Sequence, residues 1–400
     1  MDTGIGVWPF GRTVRVIVAC LVAGGLTAGC GTSGPSDVSR TQAPSQASTR
    51  TANATSCIVA TSWYAEAGRL DWEVPTLERE IPAAGLQYME DDAKADQQAQ
   101  ADQIDRFVGA GAKVIIIEPG VEEAYLPAVQ RAIKAGVAVI SLWSPTYPAT
   151  TLHATLYVAF DPVEQGRQEA KALLALKPKG AYAIVKGNSS TSLESRLIAA
   201  GVQEVLQPAV DRGDVRIVAS VDTPGWDPEA AKAEMATILS QNGGRVDAVA
   251  VESEGMAAGV GEALEAAGLK GEVAVASGGS FNSWEGLMNV LKGTQTVEVW
   301  GNLERTAHAA AQAAIALCHD PDIAKVAGSA SVTWPDSDPM RAILLAPVPI
   351  TKDNIATVIQ TDMQWRQQIC GDGPFYGPDV LPACKLGPQP ASSASASAQP

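Results

Sequence analysis

The 400 residues are too many for one ordinary hydrophobic core, because single cores stop growing near about 250–300 residues, so two domains are expected. With 29 basic against 44 acidic residues the net charge is −15, which excludes the basic footprint that nucleic acid or an anionic membrane surface requires. Charged residues are only 18% and the hydrophobic class is 46%, a composition that buries a large core and lies far from that of disordered chains.

In chain order the first feature is a leader. Arg12 and Arg15 precede an apolar run from Val16 to Leu26 that is too short to span a bilayer, and Leu26-Thr27-Ala28-Gly29-Cys30 follows it. Residues 1–29 therefore read as a signal peptide with a small-residue cleavage site. The junction resembles the bacterial lipobox, in which the thiol is diacylated and becomes the new N-terminus. That resemblance implies lipidation at Cys30 and an exported protein anchored to the outer face of the cell membrane. Residues 30–56, rich in Ser, Thr, Ala, Gly and Pro, follow as anchor and flexible tether. Residues 387–400 are Pro, Ala, Ser and Gln of low complexity and read as a disordered tail.

From Cys57 onward, apolar strand-length runs alternate with helical periods. Strands are expected at 58–61, 114–117, 137–140 and 155–158, with a weaker one at 86–88, and helices at 98–108 and 122–135, each followed by glycine. Near-continuous apolar runs are what a parallel sheet buried on both faces looks like. A second series follows Phe160, with helices at 163–176, 193–206, 228–239, 256–267 and 284–291. Its strands are at 181–185, 215–221, 248–251, 273–276 and 296–300. A helix at 306–318 and a late strand at 343–348 complete the chain. The fold class is α/β, as two doubly wound parallel-sheet lobes. If the chain crosses between lobes near Phe160, Gly301 and Pro347, the N-terminal lobe is residues 57–160 plus 302–346 and the C-terminal lobe 161–301 plus 347–386.

The cysteines stand at 20, 30, 57, 318, 370 and 384, without a CxxC pair or the His spacing of a zinc site. Setting aside Cys20 and Cys30 leaves cysteines outside the cytoplasm, where disulfides persist. Cys370 and Cys384 are neighbours in a Gly/Pro-rich segment and form the easy pair, which leaves Cys57 with Cys318. Helix C-termini share a face with strand N-termini, so a helix ending at Cys318 on the first lobe meets the head of strand one at Cys57.

The order of elements, together with several motifs, resembles the type I periplasmic sugar-binding proteins and within them the xylose-binding branch. The resemblance covers about residues 57–365 and is carried by Phe160-Asp161-Pro162-Val163-Glu164-Gln165-Gly166, Val246-Asp247-Ala248-Val249-Ala250 and Gly293-Thr294-Gln295-Thr296. Leu344-Leu345-Ala346-Pro347 followed by Thr351-Lys352-Asp353-Asn354-Ile355 is similar to the family's final crossover. It implies a monomeric, hinged two-lobe receptor joined by a three-segment hinge, which closes on a sugar or polyol-like small molecule and hands it to the permease of an ABC importer. It implies no cofactor, no metal and no reaction of its own. Repressor relatives begin with a helix-turn-helix, and here a leader and tether occupy that place. A second reading is a ligand-sensing receptor coupled to a membrane kinase; neighbouring genes for a permease and ATPase, or for a kinase, separate the two.

In open α/β sheets ligands bind beyond the strand C-termini, so the loops there supply the candidates. After strand one, Trp63, Arg69, Asp71 and Trp72 combine indoles with planar charged groups, which is what pyranose recognition uses, although Trp72 fits equally well under helix one. Trp143 and Ser144 stand where the family has Asp-Arg, and Asn188 and Thr191 lie in a loop that in the family carries Asp-Asn-Asn. Trp226 keeps a family Gly-Trp and is at home in cleft or core. Ser253 and Glu254 replace Asn-Asp, Ser280 sits where the family has an aspartate, and Trp300-Gly301-Asn302 stands where it has a lysine. Losing charged contacts together suits a ligand less polar or larger than a pentose: a sugar derivative, cyclitol, nucleoside or aromatic glycoside.

Catalytic patterns are weak. His153, His308 and His319 are scattered, no nucleophile elbow or phosphate loop follows a strand, and Glu252 with Glu254 would approach a glycosidic bond from one side only. Asp91, Asp92 and Asp96, and Asp336 with Asp338, lack the glycine and distal glutamate of a calcium loop.

Overall fold

The structure, a computed structural model, describes residues 57–64, 67–119, 123–143, 155–190, 192–279, 284–334, 339–356 and 358. The leader, Cys30, the tether, Ser144, Thr191, Ser280, the Cys370–Cys384 pair and the tail lie outside the described residues, as do the side chains of Arg69 and Asp71.

The first half of the chain runs β1 (Ile58–Trp63), α1 (Ala67–Ala83), β2 (Gln87–Asp92), α2 (Gln97–Gly109), β3 (Val114–Ile117), α3 (Leu126–Lys134), β4 (Ala138–Leu142) and β5 (Thr155–Phe160). The second half runs α4 (Pro162–Leu176), β6 (Gly180–Lys186), α5 (Leu193–Asp211), β7 (Val215–Asp222), α6 (Pro228–Gln241), β8 (Ala248–Val251), α7 (Glu254–Ala266), β9 (Ala274–Gly278), α8 (Trp284–Lys292) and β10 (Val297–Trp300). The chain then adds α9 (Leu303–His319), β11 (Ala330–Val332), β12 (Met340–Leu345) and β13 (Val348–Ile350).

These strands form two sheets. The 7-stranded sheet has the order β11-β12-β5-β4-β3-β1-β2 and the 6-stranded sheet the order β13-β10-β9-β8-β6-β7; only β11 and β13, at one edge of each, run antiparallel. Buried runs such as Val114–Ile117 and Ala248–Val251 explain the parallel pairing, since both faces of these strands are covered by apolar helices. The helices begin where a short polar side chain can take the first free amides: Asp96 on α2, Asp161 on α4, Ser192 on α5, Asp227 on α6, Ser253 on α7 and Asn302 on α9. Helices α4 and α5 touch backbone to backbone, for a Cβ on Gly166 would fall 2.0 Å from the Ile198 carbonyl oxygen and one on Gly201 2.1 Å from that of Val163.

The structure corrects the sequence reading in places. Residues 67–72, read with the loop after strand one, belong to helix α1, which starts at Ala67 and carries Pro75 and Pro82 inside it. Those prolines mask the helical period, and burial of Leu77 and Ile81 against the sheet outweighs them. The helix expected at 122–135 is a 3-10 turn, Glu123–Tyr125, followed by α3, whose Pro127 sits in the first turn, where it costs no hydrogen bond. The single late strand at 343–348 is two strands in different sheets, β12 and β13, divided at Ala346-Pro347.

Cys57 is disulfide-bonded to Cys318 with the Cα atoms 5.8 Å apart, so the end of α9 is tied to the head of β1 across 261 residues of chain. A crosslink over so long a loop constrains the unfolded ensemble strongly. Reduction, or Cys318→Ser, is expected to lower stability by about 2–5 kcal/mol, read as a lower urea midpoint in the presence of thiol.

Candidate functional site at the hinge

The chain passes between the sheets where β5 leads into α4, where β10 leads into α9 and where β12 leads into β13. These crossings lie side by side. The Asp161 amide donates to the Leu345 carbonyl at 2.9 Å, and the Phe160 ring lies so close over Gly301 that a Cβ there would be 2.5 Å from the ring. Arg305 spans the same place, with its guanidinium carbon 5.6 Å from the Phe160 ring centroid and its Nη1 donating to the Ala346 carbonyl at 3.2 Å. A pocket opens here, with Trp143, Ala159, Phe160 and Pro347 on its wall, and Pro162, Gln165, Glu194, Gly279, Val299 and Gly301 completing it from the other sheet and the crossings.

Trp143 is the fixed point of the N-terminal wall. It sits just beyond β4 at φ +65°, a left-handed conformation that costs a bulky residue about 1–3 kcal/mol and persists only when its surroundings hold it. Its indole Nε1 donates to Glu73 Oε1 at 2.8 Å, its carbonyl accepts the Tyr157 hydroxyl at 2.5 Å, and its ring meets Phe160 at 5.8 Å. Glu73 comes from α1, is fully buried and also accepts the Thr306 hydroxyl of α9 at 3.3 Å. Trp143 is thereby pinned by groups from α1 and β5, with α9 acting through Glu73.

The C-terminal wall is built on buried carboxyls. Glu252, at the end of β8, accepts the Gly187 amide at 2.7 Å and the Ser195 hydroxyl at 2.5 Å, both on Oε2. Desolvation pushes its carboxyl up to about 8; those two bonds and the Lys186 charge oppose the rise, and Glu194 adds to it. Glu169 on α4 is fully buried, and desolvation first, then the charges of Glu252 and Glu298, hold it well above the usual carboxylate range. Glu298 on β10 accepts the Ser277 hydroxyl at 3.0 Å and the Gln295 amide at 2.6 Å. Gln165 connects this group to the pocket, donating from Nε2 to Glu169 Oε1 at 3.0 Å and to the Glu252 carbonyl at 3.3 Å. Among the described residues no group of three or more His, Cys, Asp or Glu is placed to hold a metal ion.

The comparisons with known proteins bear on this architecture. The family model described as a periplasmic binding protein domain matches residues 76–320, more than half the chain. The chain belongs to that family. This periplasmic binding protein is 28% identical to the D-xylose-binding periplasmic protein of Escherichia coli over 286 residues, which cover 71% of this chain and 83% of that one. Its fold is similar to a periplasmic solute binding protein of an ABC transporter from Actinobacillus succinogenes with bound D-allose, with TM-score 0.60, 21% identity and coverage of 75% and 99% of the two chains. It is likewise similar to a Caulobacter myo-inositol binding protein, with TM-score 0.57, 22% identity and coverage of 75% and 95%.

The residues singled out from the sequence scatter around this periplasmic binding protein's hinge pocket. Trp143 lines it. Trp63 and Trp72 are buried in the apolar cluster that holds Leu77, Ile81 and Trp143, and do not line the pocket. Trp300 ends β10, partly buried against the same cluster. Trp226, at φ +56°, packs on Gly187, where a Cβ would be 2.5 Å from the indole, and joins the cluster under α6 and α7. Ser253 is the cap of α7 and Glu254 its buried first residue, while Asn188 accepts the Ser190 hydroxyl at 2.6 Å and the Ser192 amide at 2.7 Å in its own loop.

Sequence reasoning passed over Glu73, Gln165, Glu169 and Glu194. Two signals were available. Gln165 and Glu169 are one helical turn apart on a helix whose neighbouring Gly166 demands close burial, and Glu252 and Glu298 each interrupt an apolar strand run.

Proposed function

We propose that this periplasmic binding protein captures a sugar or polyol between its lobes outside the cell membrane and delivers it to an ABC importer. One observation supports the reading most directly. The hinge pocket sets aromatic surface, Trp143 and Phe160, against the hydrogen-bonding groups of Gln165 and Glu194. Sugar C–H faces stack on rings while hydroxyls pair with polar planar groups, so the two walls divide the work as a carbohydrate requires. The relatives named for D-xylose, D-allose and myo-inositol point to the same ligand class.

In this reading residues 57–160 with 302–346 form one lobe and 161–301 with 347–386 the other, closing about the crossings. The leader over residues 1–29 exports the chain, diacylated Cys30 anchors it, and residues 31–56 tether the lobes. The reading gives the protein no reaction of its own.

Thermal denaturation of the purified protein with D-xylose, D-allose, xylitol and myo-inositol tests it, since a ligand at a hundred times its Kd adds about 2.7 kcal/mol of stability. At least one of these is expected to raise the midpoint. The Trp143-Ser144 replacement favours the cyclitol over the pentose, and tight calorimetric binding of D-xylose with no response to myo-inositol overturns that preference. Flat curves with every one of these compounds overturn the carbohydrate reading.

A further inference from the structure

The polar wall of the hinge pocket contains an amide whose orientation is settled by its surroundings. Gln165 lies in the first turns of α4, is nearly buried and still lines the pocket. Its Nε2 faces the Glu169 carboxyl at 3.0 Å and the Glu252 main-chain carbonyl at 3.3 Å. A backbone carbonyl has no proton to give, so the amide cannot turn over without setting oxygen against oxygen. Both N–H groups are committed inward, and the amide oxygen is left to the pocket side.

The side chain is also clamped in place. Gly278 gives it room, for a Cβ at that position would stand 2.8 Å from Gln165 Cγ, and the main-chain N–H of Gln165 donates to the Asp161 carbonyl at 2.9 Å, which fixes the backbone that carries the side chain. Such a group keeps its direction without a ligand and spends little entropy on binding one.

We propose that Gln165 is a specificity-determining residue, presenting its amide oxygen as a fixed acceptor that reads one ligand hydroxyl at the hinge end of the cleft. An amide oxygen only accepts hydrogen bonds, so the group read here must be a donor: a hydroxyl, not a carbonyl or a carboxylate. Glu169 and the Glu252 carbonyl act through Gln165 as positioning groups.

The assignment rests on the carbohydrate reading, and calorimetry separates the two. The probes are D-xylose, D-allose and myo-inositol, followed by the monodeoxy derivatives of whichever binds. In the wild type one monodeoxy derivative is expected to bind about tenfold more weakly than its parent. In Gln165→Leu the parent loses about tenfold, and that same derivative shows no further loss, so the two changes are coupled. A merely structural role for Gln165 weakens every derivative alike and lowers the unfolding midpoint, and either uniform weakening or parent binding within about twofold of wild type overturns the assignment. Gln165→Met, which keeps the length of the side chain, gives the same cycle if the leucine variant does not fold. Absence of binding by the wild type to all the probes overturns the carbohydrate reading itself, and the assignment with it.

Discussion

Glu252→Gln is expected to be more stable than the wild type by about 3 kcal/mol at about pH 9, with the difference shrinking as the pH falls and reversing to about 1–2 kcal/mol in favour of the wild type near pH 5. The Glu252 carboxyl is buried at the end of β8, and desolvation raises it from the ordinary 4.5 to about 8. A raised carboxyl favours the proton-bound folded state: its contribution is whole below the unfolded value and is lost as the pH rises through the folded one. In the wild type that loss falls between about pH 5 and about pH 8, where the folded chain keeps a proton that the unfolded chain has given up.

Glutamine removes this dependence. Its amide oxygen can accept the Gly187 amide and the Ser195 hydroxyl that Glu252 Oε2 now accepts, while its nitrogen takes the place of Oε1, which has no hydrogen-bond partner among the described residues. The unmatched amide N–H groups cost about 1–2 kcal/mol, which is why the gain is smaller than the full shift implies. Burial keeps the Glu169 carboxyl raised in both proteins, although the variant removes the Glu252 charge that adds to the rise, so the comparison is the difference between their urea-derived stabilities across pH. Parallel profiles for the two proteins overturn the assignment of the raised carboxyl.

The fold was legible because its signals are periodic. Val114-Ile115-Ile116-Ile117 and Ala248-Val249-Ala250-Val251 are buried at every position, and that pattern alone points to parallel strands covered on both sides. The crossings were legible for a related reason. Asp161 and Asn302 are short polar residues directly after strand ends, and each caps the helix that follows. The bounds of helix α1 were not legible, since Pro75 and Pro82 are local signals against a helix that only tertiary burial overrides.

The site was harder to read because exposure is not encoded in residue type. An indole at a strand end can line a cleft, as Trp143 does, or only fill a core, as Trp63 does, and residue type does not separate the two, since both pack in one apolar cluster and Trp143 alone of the pair reaches the pocket. Polar residues posed the opposite difficulty. Gln165 sits in a helix rich in Gln, Glu and Arg and reads as a solvated position until the contact with Gly278 and the buried carboxyls is seen. Ser253 was chosen for its place beyond β8, yet the same hydroxyl is what starts α7, accepting the Met256 amide at 3.3 Å.

Trp143→Ala is expected to cost about 3–5 kcal/mol of stability and to weaken carbohydrate binding at least about tenfold, because one side chain serves both the core and the pocket wall. It is 3% exposed, and its removal leaves a void beside Phe160 and takes the indole donor away from the buried Glu73 carboxylate. Trp143→Phe separates these losses: it keeps a ring against Phe160 and lacks the N–H, so about 1–3 kcal/mol is expected, the cost of the missing bond to a buried carboxylate. Trp143→Gly adds a third comparison. At φ +65° glycine is free of the strain that alanine still carries, so the glycine variant is expected to be more stable than the alanine one by about 1 kcal/mol, the reverse of their order in a strand or helix. Urea unfolding of the three variants, with calorimetry against the best wild-type ligand, reads all of these. Alanine and phenylalanine variants of equal stability would place the whole effect in the bond to Glu73, and an alanine variant that keeps wild-type affinity would remove Trp143 from the binding wall.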